Sequence, residues 1–184
     1  MTVITPSRIL IALAALMASL PSAATGFSPD SISLEIGSGR RVQMARVALQ
    51  SKWDQRWFQS NGTHVGGYWD LSLAQWRGSA HQEVNGRHQY LADIGLTPVL
   101  RLQSDTLKGW YAEGGIGIHL LSKLYDNNSD YLSTRFQFGD HLGAGYVFNN
   151  GWEAGLQIQH FSNGGIKRPN SGVNFLVFKA ARAF

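Results

Sequence analysis

Apolar and polar residues alternate along most of this chain, most clearly in residues 152–162. The even-numbered positions of that segment are Trp, Ala, Leu, Ile, His and Ser, whereas its odd-numbered positions are mainly Glu, Gly and Gln. Because successive side chains of an extended strand point to opposite faces, this pattern predicts a strand with one apolar and one polar face. The same alternation occurs in residues 65–73, 90–102, 109–121 and 132–148, and it is less regular in 31–36 and 41–58.

Turn-forming residues separate these segments, for example in 60–62, 125–128 and 149–151. The segments between such turns number about eight. One face of each is rich in aromatic and aliphatic residues, and the other mixes charge, Gln and Gly. This pattern is typical of an all-β fold, an eight-stranded antiparallel transmembrane β-barrel of the bacterial outer membrane, with apolar side chains outward. The final residue agrees, because Phe184 continues the apolar face of Leu176 and Phe178.

A soluble lipocalin-like barrel would show the same alternation in the opposite sense, since its apolar face lines the interior. Alternation alone therefore leaves both barrels open. The membrane barrel predicts that the charged positions of the polar face lie inside, and the soluble barrel predicts that they lie outside. These positions are Glu35, Arg46, Asp70, Asp93, Arg101, Glu113, Arg135 and Glu153.

Residues 1–24 have the pattern of a secretory signal peptide. Arg8 precedes the apolar run 9–20, and the small residues Ser22 and Ala24 follow it. A basic start, a short apolar run and small residues before the cleavage site define such a signal. The run is shorter than the roughly 20 apolar residues that a membrane anchor helix requires. We therefore expect cleavage after Ala24, which leaves residues 25–184 as a single barrel domain.

Composition excludes several other classes of site and partner. The chain has no cysteine, so a disulfide framework and a thiolate metal site are excluded. Its net charge of +4 is scattered rather than clustered, so no nucleic-acid partner is expected. The six histidines show no HxxxH or HExxH spacing, and we expect no metal site.

His160 and Ser162 are the candidate catalytic pair. They are two residues apart on a predicted strand, so their side chains emerge on the same face, as a general base and a hydroxyl nucleophile require. That face is the apolar one, which in a membrane barrel meets lipid. A site inside the lumen, as a barrel acyltransferase would have, is disfavoured by this outward parity.

The height of this pair along the barrel follows from the predicted turns. If both termini are periplasmic, residues 149–151 form the last periplasmic turn. The pair then lies roughly 20 Å higher, given about 3.3 Å per residue and a strand tilt near 45°. This position is in the outer leaflet, where lipopolysaccharide is found. The chemistry indicated is hydrolysis of an acyl ester in a lipid.

Two segments of the chain resemble the lipid A 3-O-deacylase (PagL) family. One is 160–172, with the sequence His-Phe-Ser-Asn-Gly-Gly-Ile-Lys-Arg-Pro-Asn-Ser-Gly, and the other is 136–143. The resemblance implies an outer-membrane barrel that removes the 3-hydroxyacyl chain at the 3-position of lipid A without a cofactor. It implies that His160 is the base, that Ser162 is the nucleophile, and that Asn163 and the Gly165 N–H form the oxyanion hole. It also implies that the partners are lipid A within lipopolysaccharide and the surrounding outer-membrane lipids.

The chain departs from this family at the third catalytic position, where Asn174 replaces the usual Glu. Asn174 lies on the predicted next strand with the parity that lets it face His160. An Asn carbonyl can fix the imidazole tautomer, but it cannot offset imidazolium charge as a carboxylate does. The alternative orienting residue is Asp140, which has lipid-facing parity on the neighbouring strand. Asp140 and Asn170 are the predicted supporting residues.

Three further hypotheses remain open at this stage. A non-enzymatic outer-membrane barrel with a structural or adhesive role is the competing function. Lys167 and Arg168, beside the site, are either solvated charges or contacts to lipid A phosphates. A homodimer is a further partner hypothesis, for which the sequence carries no separate signal.

Overall fold

The computed structural model describes residues 27–184, and the signal peptide predicted for residues 1–24 lies outside the described residues. The described chain forms strands joined by turns and loops. The strands are β1 (Ser31–Gly39), β2 (Val42–Lys52), β3 (Trp57–Ser60), β4 (Thr63–Gly78), β5 (Gln89–Ser104), β6 (Gly109–Leu121), β7 (Tyr125–Asn127), β8 (Asp130–Leu132), β9 (Phe136–Val147), β10 (Trp152–Ser162) and β11 (Val173–Ala183).

Eight of these strands close into an antiparallel barrel in the order β1, β2, β4, β5, β6, β9, β10 and β11. The last strand pairs with the first, so that Ser31 lies opposite Ala183. Closure leaves no unpaired sheet edge, which is the condition for a sheet to cross a membrane. The predicted eight-stranded barrel is therefore confirmed. Strand β3 forms a short hairpin with β4, and β7 pairs with β8 outside the barrel. Within residues 27–184, no helix is long and apolar enough to span a bilayer.

The barrel turns its apolar side chains outward. Exposed aliphatic residues include Ile36, Ile116 and Ile158, each more than 60% exposed. The charged positions of the polar face lie inside, where Glu35, Arg46, Asp70, Asp93, Arg101 and Glu113 are buried. This sense of alternation is that of a membrane barrel and the reverse of a lipocalin.

The prediction of one continuous strand over 132–148 is wrong at its start. Leu132 is completely buried in the small β7–β8 hairpin, and barrel strand β9 begins only at Phe136. Arg135 precedes that strand and is exposed, so it does not join the interior charges. Its guanidinium donates to the Leu121 carbonyl over 2.7 Å. Leu132 is an even-numbered apolar position, like Phe136 and Phe138 of β9. Periodicity alone therefore did not reveal that the chain turns between them.

Lys179 anchors the polar interior of the barrel. Its ammonium is buried and lies 3.3 Å from Glu113 and 3.0 Å from Glu153, and it donates to the Tyr68 hydroxyl over 3.1 Å. Arg101 contacts the same two carboxylates. Buried charges of opposite sign satisfy one another here, so the lumen is filled by ion pairs and hydrogen bonds.

An aromatic cluster fills the barrel above these ion pairs, at the end opposite the chain termini. The Trp76 ring packs edge-on against Phe161 at 4.6 Å and against Phe175 at 4.9 Å between ring centroids. Tyr125 of the small hairpin packs on the same indole at 5.9 Å. Aromatic pairs in this geometry add to the stabilisation from area burial. The cluster thus ties β4, β10, β11 and the hairpin to one another.

Lys179→Met tests how far the interior ion pairs stabilise the barrel. Removing the ammonium leaves Glu113 and Glu153 with less cationic compensation, and breaking a buried pair in this way costs about 3–5 kcal/mol. Denaturant unfolding of the protein in lipid vesicles, followed by tryptophan fluorescence, measures the loss. Lys123→Met is the matched control, because Lys123 is exposed. Equal stability of the two variants would contradict the stabilising role.

Candidate active site

The two ends of the barrel carry connections of different length. At the end with the termini, residues 105–108 and 148–151 make short turns, and residues 53–62 make a longer connection that includes β3. At the opposite end, residues 79–88, 122–135 and 163–172 form longer loops, and residues 40–41 make a tight turn. Both candidate catalytic residues lie at this second end, as the antepenultimate and last residues of β10.

His160 and Ser162 emerge from the outer surface of the barrel, as predicted. Both are partly exposed, and Phe161 between them is completely buried in the aromatic cluster. Alternation along β10 therefore sets the pair on the outward face once Phe161 is packed inward. Within residues 27–184, no hydrogen bond joins the imidazole to the Ser162 hydroxyl. Catalytic hydrogen bonds often tighten only in the substrate complex.

Asn174 is the hydrogen-bond partner of the imidazole. It lies directly opposite His160 in the pairing of β10 with β11. The Asn174 Oδ1 atom is 2.7 Å from His160 Nδ1. With the proton on Nδ1, the imidazole donates to this amide oxygen and leaves Nε2 free to accept a proton. The geometry is therefore that of an orienting residue and its base.

Asp140 faces His160 from the other side. It lies directly opposite His160 in the pairing of β10 with β9, and it is partly exposed on the outer surface. In the described residues its carboxylate makes no hydrogen bond or ion pair. Asp140 thus lies beside the imidazole without orienting it.

The loop 163–172 is held by the side chain of Asn163, which is completely buried. Its amide nitrogen donates to the Lys167 carbonyl over 2.7 Å, and its amide oxygen accepts from the Gly165 N–H over 3.0 Å. The Asn163 N–H in turn donates to the Asn170 side chain over 3.1 Å. The predicted oxyanion donors Asn163 and Gly165 are thus brought together, bonded to each other, with Asn170 supporting them.

The small β7–β8 hairpin holds this loop by hydrogen bonds, a role that the sequence did not reveal. Leu132 pairs with Asn170 in an isolated bridge. The Ser171 N–H donates to the Tyr131 carbonyl over 3.0 Å, and the Ser133 hydroxyl donates to the Pro169 carbonyl over 2.6 Å. The only sequence signal for the hairpin was the Asn- and Asp-rich turn at 125–128.

Gly172 gives the imidazole its space. Its φ of +74° is a conformation that favours glycine, and a Cβ added there would lie 2.5 Å from Cε1 of His160. The chain therefore passes close behind the ring just before β11 begins. Gly172 is the last residue of the family-like segment 160–172, but nothing in the sequence assigned it a role.

An apolar groove of about 810 Å³ runs along the outer surface next to His160. Asp140 and His160 lie at its border. Its apolar walls are Pro98, Leu100, Gly114, Ile116, Leu142 and Ile158. A smaller cavity of about 200 Å³ lies at the other end of the barrel, around Arg101 and Glu153, and contains none of the predicted site residues.

No group of three His, Cys, Asp or Glu residues within the described chain is arranged to hold a metal ion. Lys167 and Arg168 are exposed in the loop beside Ser162. The groups at the site are thus a hydroxyl, an imidazole, an amide that orients it, and N–H donors of a braced loop. Such a set is suited to nucleophilic cleavage of an ester.

Comparison with known proteins gives consistent results. A family model for lipid A 3-O-deacylase (PagL) matches residues 43–182. The lipid A deacylase PagL of Pseudomonas aeruginosa is 32% identical over 147 residues, which cover 77% of this chain and 79% of that protein. Its counterpart from Bordetella bronchiseptica is 30% identical over 148 residues, covering 79% of this chain and 78% of that protein.

A solved structure agrees with these sequence matches. The crystal structure of the outer membrane enzyme PagL superposes with a TM-score of 0.72 and 25% identity, over 84% of this chain and 99% of that chain. The match covers nearly the whole of that barrel. The chain therefore belongs to the lipid A 3-O-deacylase (PagL) family of outer-membrane β-barrel enzymes.

Proposed function

We propose that this protein hydrolyses the ester that joins a 3-hydroxyacyl chain to the 3-position of lipid A, with Ser162 as nucleophile. The observation that carries the proposal is the outward position of His160 and Ser162 on a membrane barrel, with the imidazole hydrogen-bonded to Asn174 over 2.7 Å. Placing two polar side chains on a lipid-facing surface costs free energy. Such a placement therefore indicates a function for the pair. Family membership indicates which lipid is the substrate.

The reaction follows from the roles of the two side chains. Nε2 of His160 takes the Ser162 hydroxyl proton while Oγ forms a bond to the ester carbonyl carbon. The tetrahedral intermediate collapses by breaking the bond to the sugar oxygen, which receives the proton from the imidazolium. Water then hydrolyses the acyl-serine with His160 again as base, which releases the free 3-hydroxy fatty acid and restores Ser162.

The turn at residues 163–165 is the proposed site of oxyanion stabilisation. The Gly165 N–H is bonded to the Asn163 amide oxygen. In the tetrahedral intermediate this N–H would exchange its acceptor for the developing oxyanion. The second hydrogen of the Asn163 amide nitrogen is the other proposed donor, since only one of the two is given to the Lys167 carbonyl. Because Asn163 is completely buried, a shift of the loop 163–172 has to accompany substrate binding before this hydrogen reaches the oxyanion.

The groove beside His160 is the proposed binding site for the acyl chain. Its walls are mainly apolar, it lies on the lipid-facing surface, and His160 is one of the residues that line it. An acyl chain would move from bilayer to groove without crossing water. The substrate therefore enters sideways from the outer leaflet, which requires the end of the barrel with the long loops to face outside the cell. Three of the four connections at that end are long loops, as the extracellular loops of such barrels are.

Lys167 and Arg168 are proposed to bind a phosphate of lipid A. Both are exposed in the loop that also carries the proposed oxyanion donors. A charge-assisted hydrogen bond from this loop to a phosphate would hold the disaccharide head beside Ser162.

Mass spectrometry of lipid A from cells that produce the protein tests the proposed reaction. We expect wild type to remove one 3-hydroxyacyl chain, and we expect Ser162→Ala and His160→Ala to leave lipid A at full mass. Ser38→Ala is the matched control, because Ser38 is an exposed outward serine on β1, and it should behave as wild type. An unchanged lipid A mass with a folded wild-type protein would favour a non-enzymatic barrel instead.

Gly172→Ala tests whether the imidazole needs its present position. The added methyl would push against the ring, and small displacements at a reacting centre can cost about 100-fold in rate. We expect at least a tenfold lower rate of deacylation. Gly86→Ala is a matched control, since Gly86 also has a positive φ (+81°) but nothing within 4 Å of an added Cβ. Equal loss in both variants would mean that backbone strain alone, and not the ring, is responsible.

A further inference from the structure

Asp140 is an unpaired carboxylate on the lipid-facing surface of β9. Its outward neighbours along this strand are Phe138 and Leu142. Within residues 27–184 the carboxylate makes no hydrogen bond or ion pair, although the interior carboxylates Glu35, Glu113 and Glu153 all have such partners. An anion placed next to lipid without a partner costs free energy. The position of Asp140 is therefore explained by a function on the outer surface and not by the interior ion pairs.

The pairing of three strands places His160 between Asp140 and Asn174. Asp140 is directly opposite His160 on β9, and Asn174 is directly opposite it on β11. Residues directly opposite in an antiparallel pair have Cβ atoms about 4.5–5.5 Å apart. Both side chains are thus within reach of the imidazole, one on each side.

An orienting carboxylate fixes the tautomer of a catalytic histidine and also stabilises the imidazolium that forms. Asn174 can do only the first. Its amide oxygen accepts from Nδ1 and fixes the tautomer. It carries no charge, and so it does not compensate the imidazolium that forms when Ser162 loses its proton.

Asp140 is the carboxylate placed to provide that compensation. The outward faces of β10 and β11 carry no acidic residue, and the loop 163–172 carries Lys167 and Arg168 but no acid. On β9, Asp140 is the single acidic residue. A charge pair next to lipid is screened less than one in water, which strengthens this interaction.

We infer that this chain divides the work of the triad carboxylate between two side chains, with Asn174 fixing the imidazole tautomer and Asp140 stabilising its charge across the strand. The inference rests on the proposed function of His160 and Ser162. It makes Asp140 a positioning residue that acts through the field at His160. The other use for Asp140 is a contact with a substrate hydroxyl, because it also borders the groove.

The test compares pH–rate profiles of wild type, Asp140→Asn, Asn174→Glu and the double variant in lipid vesicles. For Asp140→Asn we expect a 10- to 100-fold lower kcat, because the imidazolium loses its counter-charge. We also expect the acid limb of its pH–rate profile to move to lower pH, because a neighbouring carboxylate favours the protonated imidazole. Asn174→Glu alone gives the reference rate and profile against which the double variant is compared. In the double variant, the new carboxylate at 174 should restore most of the lost rate and return the acid limb toward its wild-type position.

Three controls separate this role from structural or substrate-binding roles. Ala144→Asn places an amide on the same outward face of β9 away from His160, and it should leave the profile unchanged. Two synthetic glucosamine lipids that differ only in the 3-hydroxyl of the acyl chain should show the same loss on Asp140→Asn. Asp140→Glu keeps the carboxylate and should retain most of the activity. Heat-dependent gel mobility checks that each variant is folded.

Three results would overturn the inference. The first is an Asp140→Asn variant with wild-type kcat and profile. The second is a loss that Asn174→Glu does not rescue, and the third is a loss seen only with the hydroxylated substrate. A folded wild type without ester hydrolysis would instead overturn the proposed function, and this inference with it.

Discussion

The packing of Phe161 and Phe175 against Trp76 is the constraint on which the site depends. Both phenylalanine rings are buried inside the barrel within 5 Å of the indole centroid. Since side chains alternate along a strand, burying Phe161 forces His160 and Ser162 outward, and burying Phe175 does the same for Asn174. A slip of either strand by one residue would turn the site into the lumen and bring apolar side chains inside with it. The same packing that stabilises the aromatic cluster therefore also sets the candidate site residues on the outer surface.

This arrangement separates two kinds of polar group. The charges of the lumen form ion pairs with one another around Lys179 and Arg46. On the outer surface, His160 has only the amide of Asn174 and the unpaired carboxylate of Asp140 beside it. These groups are therefore available to a ligand in the membrane. In the proposed mechanism the barrel presents Ser162 to lipid as the nucleophile, and the braced loop 163–172 supplies the N–H donors that stabilise the ester intermediate.

Alternation in the sequence predicted the strands and which residues share a face, because the side-chain period is set locally by strand geometry. The predicted signal peptide and the terminal Phe184 were also needed to favour a membrane barrel with the pair outward and the charges inward. Arg135 is the exception among those charges, since it is exposed. Parity also allowed Asn174 to face His160, but the resemblance to the family was what singled out this position, because parity alone does not fix the register of two strands. The β7–β8 hairpin escaped prediction because the apolar parity of Leu132 continues into β9. The hydrogen bonds of Asn163 and the space left by Gly172 depend on a loop whose path is fixed by tertiary contacts, which no local pattern encodes.

The central claim is that Ser162 is an activated nucleophile facing the bilayer, and covalent labelling tests it most directly. An alkyl fluorophosphonate transfers its phosphonyl group to an activated serine oxygen with loss of fluoride. For the protein in lipid vesicles, the account predicts a single adduct on Ser162, formed faster by a long-chain reagent than by a short water-soluble one, and absent in His160→Ala. An unlabelled Ser162, or equal labelling in His160→Ala, would contradict it.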